Sequence, residues 1–149
     1  MSDAGVILRE ITRETLGAIL KLEVAPSQRG FVATNAVSIA QAHFHPEVAW
    51  FRGIYAGDVP VGFVMLEIDT AKPEYSVWRL MIGADHQGKG YGRQAMQRVI
   101  DHVRTLPGAS ELLLSVVPGE GSPAPFYESL GFTLTGEVHH GEHVMRLPL

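Results

Sequence analysis

GADHQGKGYGRQA, Gly83 to Ala95, decides how this chain is read. Three phosphate-binding signatures overlap in it. From Gly83 the run is G-x-x-x-x-G-K, the start of a nucleoside-triphosphate loop. From Gly90 it is G-x-G-x-x-A, a dinucleotide fingerprint. From Gln87 it is Q-x-x-G-x-G, a glycine loop that grips a pyrophosphate with main-chain amides. The triphosphate reading needs Ser or Thr after its lysine to hold the bridging magnesium, and Lys89 is followed by Gly90. The dinucleotide reading needs an acid about 20 residues on, at the far end of the next strand. Glu111 has that offset but opens its strand. The third reading asks only for a helix N-terminus with unpaired N–H groups and for glycines that let phosphate approach. A glycine-rich turn that merely starts a helix is the alternative to all three.

Outward from the loop, the periodicities give an element order. Val6–Ile11 alternates as a first strand. Thr12 is a cap for a helix carrying Leu16, Ile19, Leu20 and Leu22 inward. A second helix fits Asn35–Phe44, with Asn35 as cap and Val37, Ile39 and Ala40 inward. Trp50–Ala56 and Val61–Ile68 form a hairpin about Gly57-Asp58. Tyr75–Ile82 is the strand that feeds the loop. The helix after it keeps Gly92, Ala95, Met96, Val99, Ile100, Val103 and Leu106 on one face, and Pro107-Gly108 ends it. Leu112–Val117 reads as an apolar strand buried on both sides. A short helix ends near Gly131, and two strands follow, Phe132–Val138 and His143–Leu147. The order is β-α-α-β-β-β-α-β-α-β-β, an α/β chain with a mixed sheet flanked by helices. No composition shift or linker divides it, so residues 1–149 are expected to form one domain.

Composition narrows the partners. A net charge of −4 argues against nucleic acid, which demands a basic excess. No apolar run approaches the ~18–20 residues that span a bilayer, and MSDAGVILRE lacks the pattern of a secretory signal. Cysteine is absent, which excludes disulfides and thiol nucleophiles and fits a cytoplasmic location.

A second stretch, Ala124-Pro125-Phe126-Tyr127-Glu128-Ser129-Leu130-Gly131-Phe132, supports the third reading of the loop. Taken with Trp78-Arg79-Leu80-Met81-Ile82 and Gln87–Gly92, it resembles the GNAT superfamily of N-acetyltransferases. The resemblance implies a mostly antiparallel sheet splayed between its central strands, with acetyl-CoA in the gap. It implies that Leu80, Met81 and Ile82 hold the acetyl carbonyl and the pantetheine arm. Gln87, Gly88, Lys89, Gly90, Tyr91, Gly92 and Arg93 would hold the pyrophosphate, with Phe126 beside the cofactor. The family usually has Asn seven residues before its tyrosine, on the pantetheine; here that position is Glu120. Tyr127 is the expected general acid, since a phenol of pKa ~10 sits close to the CoA thiol at ~8.5. Packing of Phe126, Tyr127 and Leu130 on the sheet is the competing explanation of the same residues.

The acceptor side is less sharply written. An alkyl ammonium must lose a proton before it attacks, and Glu74 is the expected base, with Glu67 on the neighbouring strand. Some polyamine acetyltransferases carry a glutamate where this chain has Trp78. Phe31–Ala42 and Gly53–Leu66 resemble bacterial spermine/spermidine and diamine acetyltransferases. That narrower likeness implies an acceptor wall of residues 31–35 with Trp50 and Trp78, aromatic faces suited to a cationic amine. A polyamine or diamine is therefore the expected acceptor. An amino acid, an aminoglycoside-like amine, a protein N-terminus and a non-catalytic acyl-CoA-binding module are the alternatives. His43-x-His45 and His139-His140-x-x-His143 complete no recognisable metal site, and no metal is expected; the second group suits the turn between the last strands. Arg79 is expected to pair with a carboxylate on an adjacent element. A homodimer through an exposed sheet edge is also expected.

Overall fold

The computed structural model describes residues 5–149. Strand β1 covers Ile7–Arg9, helix α1 Leu16–Leu20 and helix α2 Asn35–His43. Strands β2 (Ala49–Ala56), β3 (Val59–Asp69) and β4 (Glu74–Ile82) follow. Next come α3 (Tyr91–Arg104), β5 (Glu111–Val116), α4 (Ala124–Ser129), β6 (Thr133–His139) and β7 (Glu142–Pro148). This is the order expected from periodicity. Among the described residues no helix is long and apolar enough to cross a membrane.

The strands form one sheet in the order β1-β2-β3-β4-β5-β7-β6. Every neighbouring pair is antiparallel except β4 and β5. That parallel pair is held at only two positions, Ser76 with Leu113 and Val77 with Leu114. Beyond Val77 the strands part. A bulge lies at the point of parting: Arg79 pairs with Met65 and Val77 with Leu66, so Trp78 is an extra residue in β4. An extra residue bends a strand and locally increases its twist. The sheet is thus splayed at its centre.

Each face of the sheet carries its own core. Met96, Val99, Ile100 and Val103 of α3 pack with Val64, Leu66, Leu112, Leu114 and Met145. Burying each such side chain is worth about 1.5–3 kcal/mol. The opposite face joins Ile19 and Ala42 to Phe63, Met65 and Met81. Strands β3 and β4 approach closely at Gly62, where a Cβ would collide with the Met81 carbonyl oxygen.

Three local expectations are corrected. The strand buried on both sides is β3, whose residues from Val61 to Leu66 are all buried, because it is central and helices cover both its faces. Strand β5 buries only Leu112, Leu114 and Val116, and Ser115 is exposed, since that edge borders the splay. Helix α2 is capped by Thr34, whose hydroxyl accepts from the Val37 N–H at 3.2 Å. Its buried residues are Asn35, Ser38 and Ala42, while Val37 is exposed. Two polar side chains face inward there because each finds a carbonyl. Asn35 Nδ2 donates to Ile19 O at 2.9 Å, and Ser38 Oγ to Thr34 O at 3.1 Å. In α1, Ile19 is buried but Leu20 is exposed.

Candidate active site

The splay opens a cleft of ≈ 850 Å³ between β4 on one side and β5 with the start of β7 on the other. The α3 N-terminus and α4 close it on one face, and the linker before α2 closes it on the other. Three groups of residues give it chemistry.

The first is the glycine loop. Gly88 and Gly90 have φ of +78° and +82°, in the left-handed region that side chains disfavour. Nothing lies within 4 Å of a Cβ placed at Gly88. The turn that they make leaves the N–H groups of residues 88 to 93 with no acceptor among the described residues; the first amide bonded back is Gln94, to Gly90 O at 3.1 Å. These amides are concentrated at the positive end of α3, which is the environment a pyrophosphate needs. A pyrophosphate therefore fits the residues present. Gln87 lines the cleft, yet its amide is committed: Nε2 donates to Ile82 O at 2.9 Å and to Gln28 Oε1 at 2.8 Å. It braces the loop. Arg93 Nη2 donates to Ser129 Oγ at 2.8 Å, which ties the loop helix to α4. Lys89 is exposed and does not line the cleft.

The second group is on α4. Phe126 and Tyr127 both line the cleft, their rings edge-on at 5.1 Å, and Tyr127 meets Phe132 at 5.7 Å. Tyr127 is buried, and burial pushes its phenol well above the usual range. It therefore remains a proton donor at any physiological pH. Among the described residues its hydroxyl has no hydrogen-bond partner, though it is not fully enclosed.

Strand β4 supplies the third group. Leu80 and Ile82 turn toward the α3 core and Met81 toward the α2 core, and all three border the cleft. The Leu80 backbone still pairs with β3, at Val64, so its β5-facing edge is the one released by the splay. Arg79 also lines the cleft. Its Nη2 donates to Gln41 Oε1 on α2 at 2.9 Å, its Nη1 to Trp78 O at 2.9 Å, and its buried Nε has no partner. The expected ion pair is replaced by these neutral partners. Burial lowers the guanidinium's pKa, and the charge of Glu142 opposes that shift.

Several expected residues are not brought together with these. Glu74 is exposed at the opposite end of β4, paired with Asp69. It lies six residues from Leu80, about 20 Å along an extended strand, and does not border the cleft. Glu67 is exposed on β3 and does not border the cleft either. Glu120 is exposed in the loop before α4, whose cleft-lining residues are Gly121, Ser122 and Pro123. Trp50 points to the other side of the sheet, stacked on His102 at 4.7 Å; Phe31 and Trp78 do line the cleft. No group of three metal-ligating side chains occurs among the described residues, and His140-Gly141 form the β6–β7 turn. The residue missed by sequence reading is Glu142, the acidic side chain among those bordering the cleft. Only the hairpin's register carries it there.

Comparison with known proteins agrees with this fold. The model of the Acetyltransferase (GNAT) family matches residues 32–132. A relative, the spermine/spermidine N(1)-acetyltransferase of Bacillus subtilis (strain 168), is 29% identical over 148 residues, covering 93% of this chain and 95% of its own. Among solved structures, an acetyltransferase from Thermus thermophilus superposes with a TM-score of 0.80 at 20% identity over 100% of both chains. A spermidine N-acetyltransferase from Vibrio cholerae in complex with CoA and spermine gives 0.72 at 21% identity, covering 96% of this chain and 95% of that one. At such identities the structural likeness establishes the fold.

Proposed function

Because the chain belongs to the GNAT acetyltransferase family, we propose that it transfers acetyl from acetyl-CoA to a primary amine of a polyamine or diamine by direct attack. The observation that carries this reading is the splay between β4 and β5, with free loop amides at one end and Tyr127 in its wall. The relative's name supports the choice of acceptor.

The pyrophosphate rests on the amides of residues 88 to 93, and the acetyl arm runs along the free edge of Leu80–Ile82. There the thioester carbonyl lies open to an amine arriving from the α2 side. The amine, having lost one proton to solvent, attacks the carbonyl carbon. Collapse of the adduct breaks the C–S bond, and Tyr127 gives its proton to the departing sulfur. The amide nitrogen loses its remaining extra proton, which restores the phenol through water. A strongly raised phenol pKa makes early proton loss unfavourable. The phenol therefore hydrogen-bonds the sulfur first and passes its proton only as the C–S bond breaks. We place the reaction in the cytoplasm and the enzyme in a homodimer; support for the latter is β6, an edge strand whose seven residues are all exposed.

A thiol-release assay with acetyl-CoA across spermidine, putrescine, single amino acids and a lysine peptide tests the reading. Release with spermidine or putrescine at low KM is expected. CoA binding without release for any amine would instead mark a binding module, and release confined to amino acids would move the acceptor class.

A further inference from the structure

The charges that border the cleft are unevenly distributed. Arg29, Arg79 and Arg93 contribute three guanidinium groups, and among the described residues Glu142 is the carboxylate that borders the cleft with them. Cofactor phosphates at the loop would offset Arg93, but on the α2 face a polycationic acceptor meets the Arg79 charge unless a carboxylate there holds its ammonium group.

Glu142 is placed for that task by the sheet. Val116 pairs with His143, so Glu142 stands just past the open end of the splay, across from Arg79 on β4. Along β7, Met145 and Leu147 face the α3 core. Alternation therefore turns Glu142, with Val144 and Arg146, to the opposite face, where Arg79 touches α2. This is the face away from the loop and Tyr127. Among the described residues Glu142 enters none of the ion pairs, all of which join other groups. Arg79 is not paired with it, two of its nitrogens being engaged instead by Gln41 and the Trp78 carbonyl. Its charge nonetheless reaches Glu142 through the cleft.

We propose that Glu142 is the carboxylate that receives the ammonium of the acceptor, while the pinned Arg79 turns the remaining charges of a polyamine outward. The assignment rests on the function proposed above. It gives the site a polarity: a cation is held at β7 and repelled at β4, so a linear polyamine enters by one end with its chain directed to the mouth. Glu142 is a binding and orienting residue here, distinct from the acid Tyr127.

Two variants and two readouts test it. Glu142→Gln keeps the shape and removes the charge; Glu142→Asp keeps the charge. In steady-state assays with spermidine, Glu142→Gln is expected to raise the amine KM about 10- to 100-fold, the loss of one charge-assisted contact. The turnover number and the CoA Kd should change far less, and Glu142→Asp should recover part of the loss. Raising ionic strength should weaken spermidine binding in the wild type and less so in Glu142→Gln. An unchanged amine KM in Glu142→Gln, with an active wild type, overturns the assignment and leaves the acetyltransferase reading standing. If the wild type released no thiol, calorimetric titration of spermidine into the CoA-loaded protein would still decide the matter. Heat lost in Glu142→Gln supports the site, whereas equal heat in both proteins, or none in the wild type, overturns it.

Discussion

The side-chain amide of Gln87 donates to the main-chain carbonyl of Ile82 at 2.9 Å, closing the glycine loop onto the strand from which it came. The same nitrogen reaches Gln28 Oε1 at 2.8 Å, and that oxygen also accepts from the Ala25 N–H at 3.1 Å. One side chain thus joins the glycine loop, strand β4 and the linker before α2.

Replacing Gln87 by leucine preserves the bulk and removes both bonds. The carbonyl of Ile82 and the amide of Gln28 each lose a partner, at about 1–3 kcal/mol where such groups are buried. The expected outcome is a CoA Kd about tenfold weaker, measured by calorimetry, with a smaller effect on turnover at saturating acetyl-CoA. An unchanged Kd would show that the loop holds its shape through its glycines alone.

Tyr127→Phe removes one hydroxyl from the cleft wall and leaves the aromatic contacts with Phe126 and Phe132 in place. Turnover is expected to fall about 10²-fold or more, with CoA affinity unchanged. The raised phenol pKa fixes a sign as well. Tyr127 stays protonated through pH 7–9, so wild-type activity should climb across that range as the amine loses its proton, with no descending limb from Tyr127. A bell falling near pH 8 would contradict the assignment. Stability carries the matching sign: the preference for the neutral phenol costs nothing below the unfolded value near 10 and weakens the fold increasingly above it.

His102 lies against Trp50 with the rings 4.7 Å apart and 19° from parallel, and Arg52 sits over the same indole at 4.3 Å. Burial, and secondarily the Arg52 charge, lower the histidine's pKa from 6.5. Below about pH 6.5 the unfolded chain takes up a proton that the folded chain resists, so stability contributed by neutral His102 is present above that pH and is lost as pH falls through the folded value. Thermal melting from pH 7.5 to 5 should show Tm falling more steeply in the wild type than in His102→Phe, which keeps the stack without titrating. Parallel slopes would assign the acid sensitivity to other groups.

The order of elements, the glycine loop and the Phe126-Tyr127 helix were legible in the sequence because each is a local property. Periodicity along α3, left-handed glycines at 88 and 90 and the spacing of a short helix are fixed by residues close in the chain. Glu74 misled for the complementary reason. Its alternation face follows from strand geometry, but its distance from the splay depends on where β5 stops pairing with β4. The inward face of α2 was misjudged because polar Asn35 and Ser38 are buried only once the Ile19 and Thr34 carbonyls are there to accept from them.

What the sequence determined by itself is the glycine loop with its row of free amides, since backbone amides and glycine conformations need no distant partner. What only the tertiary structure decided is the set of charged side chains along the α2 face of the cleft. Arg79 on β4 bonds Gln41 on α2 and shares the cleft with Glu142 on β7, an arrangement that depends on a bulge at Trp78 and on the register of a hairpin more than sixty residues later. Charges so far apart in the chain act on one another only after the sheet has closed the distance between them.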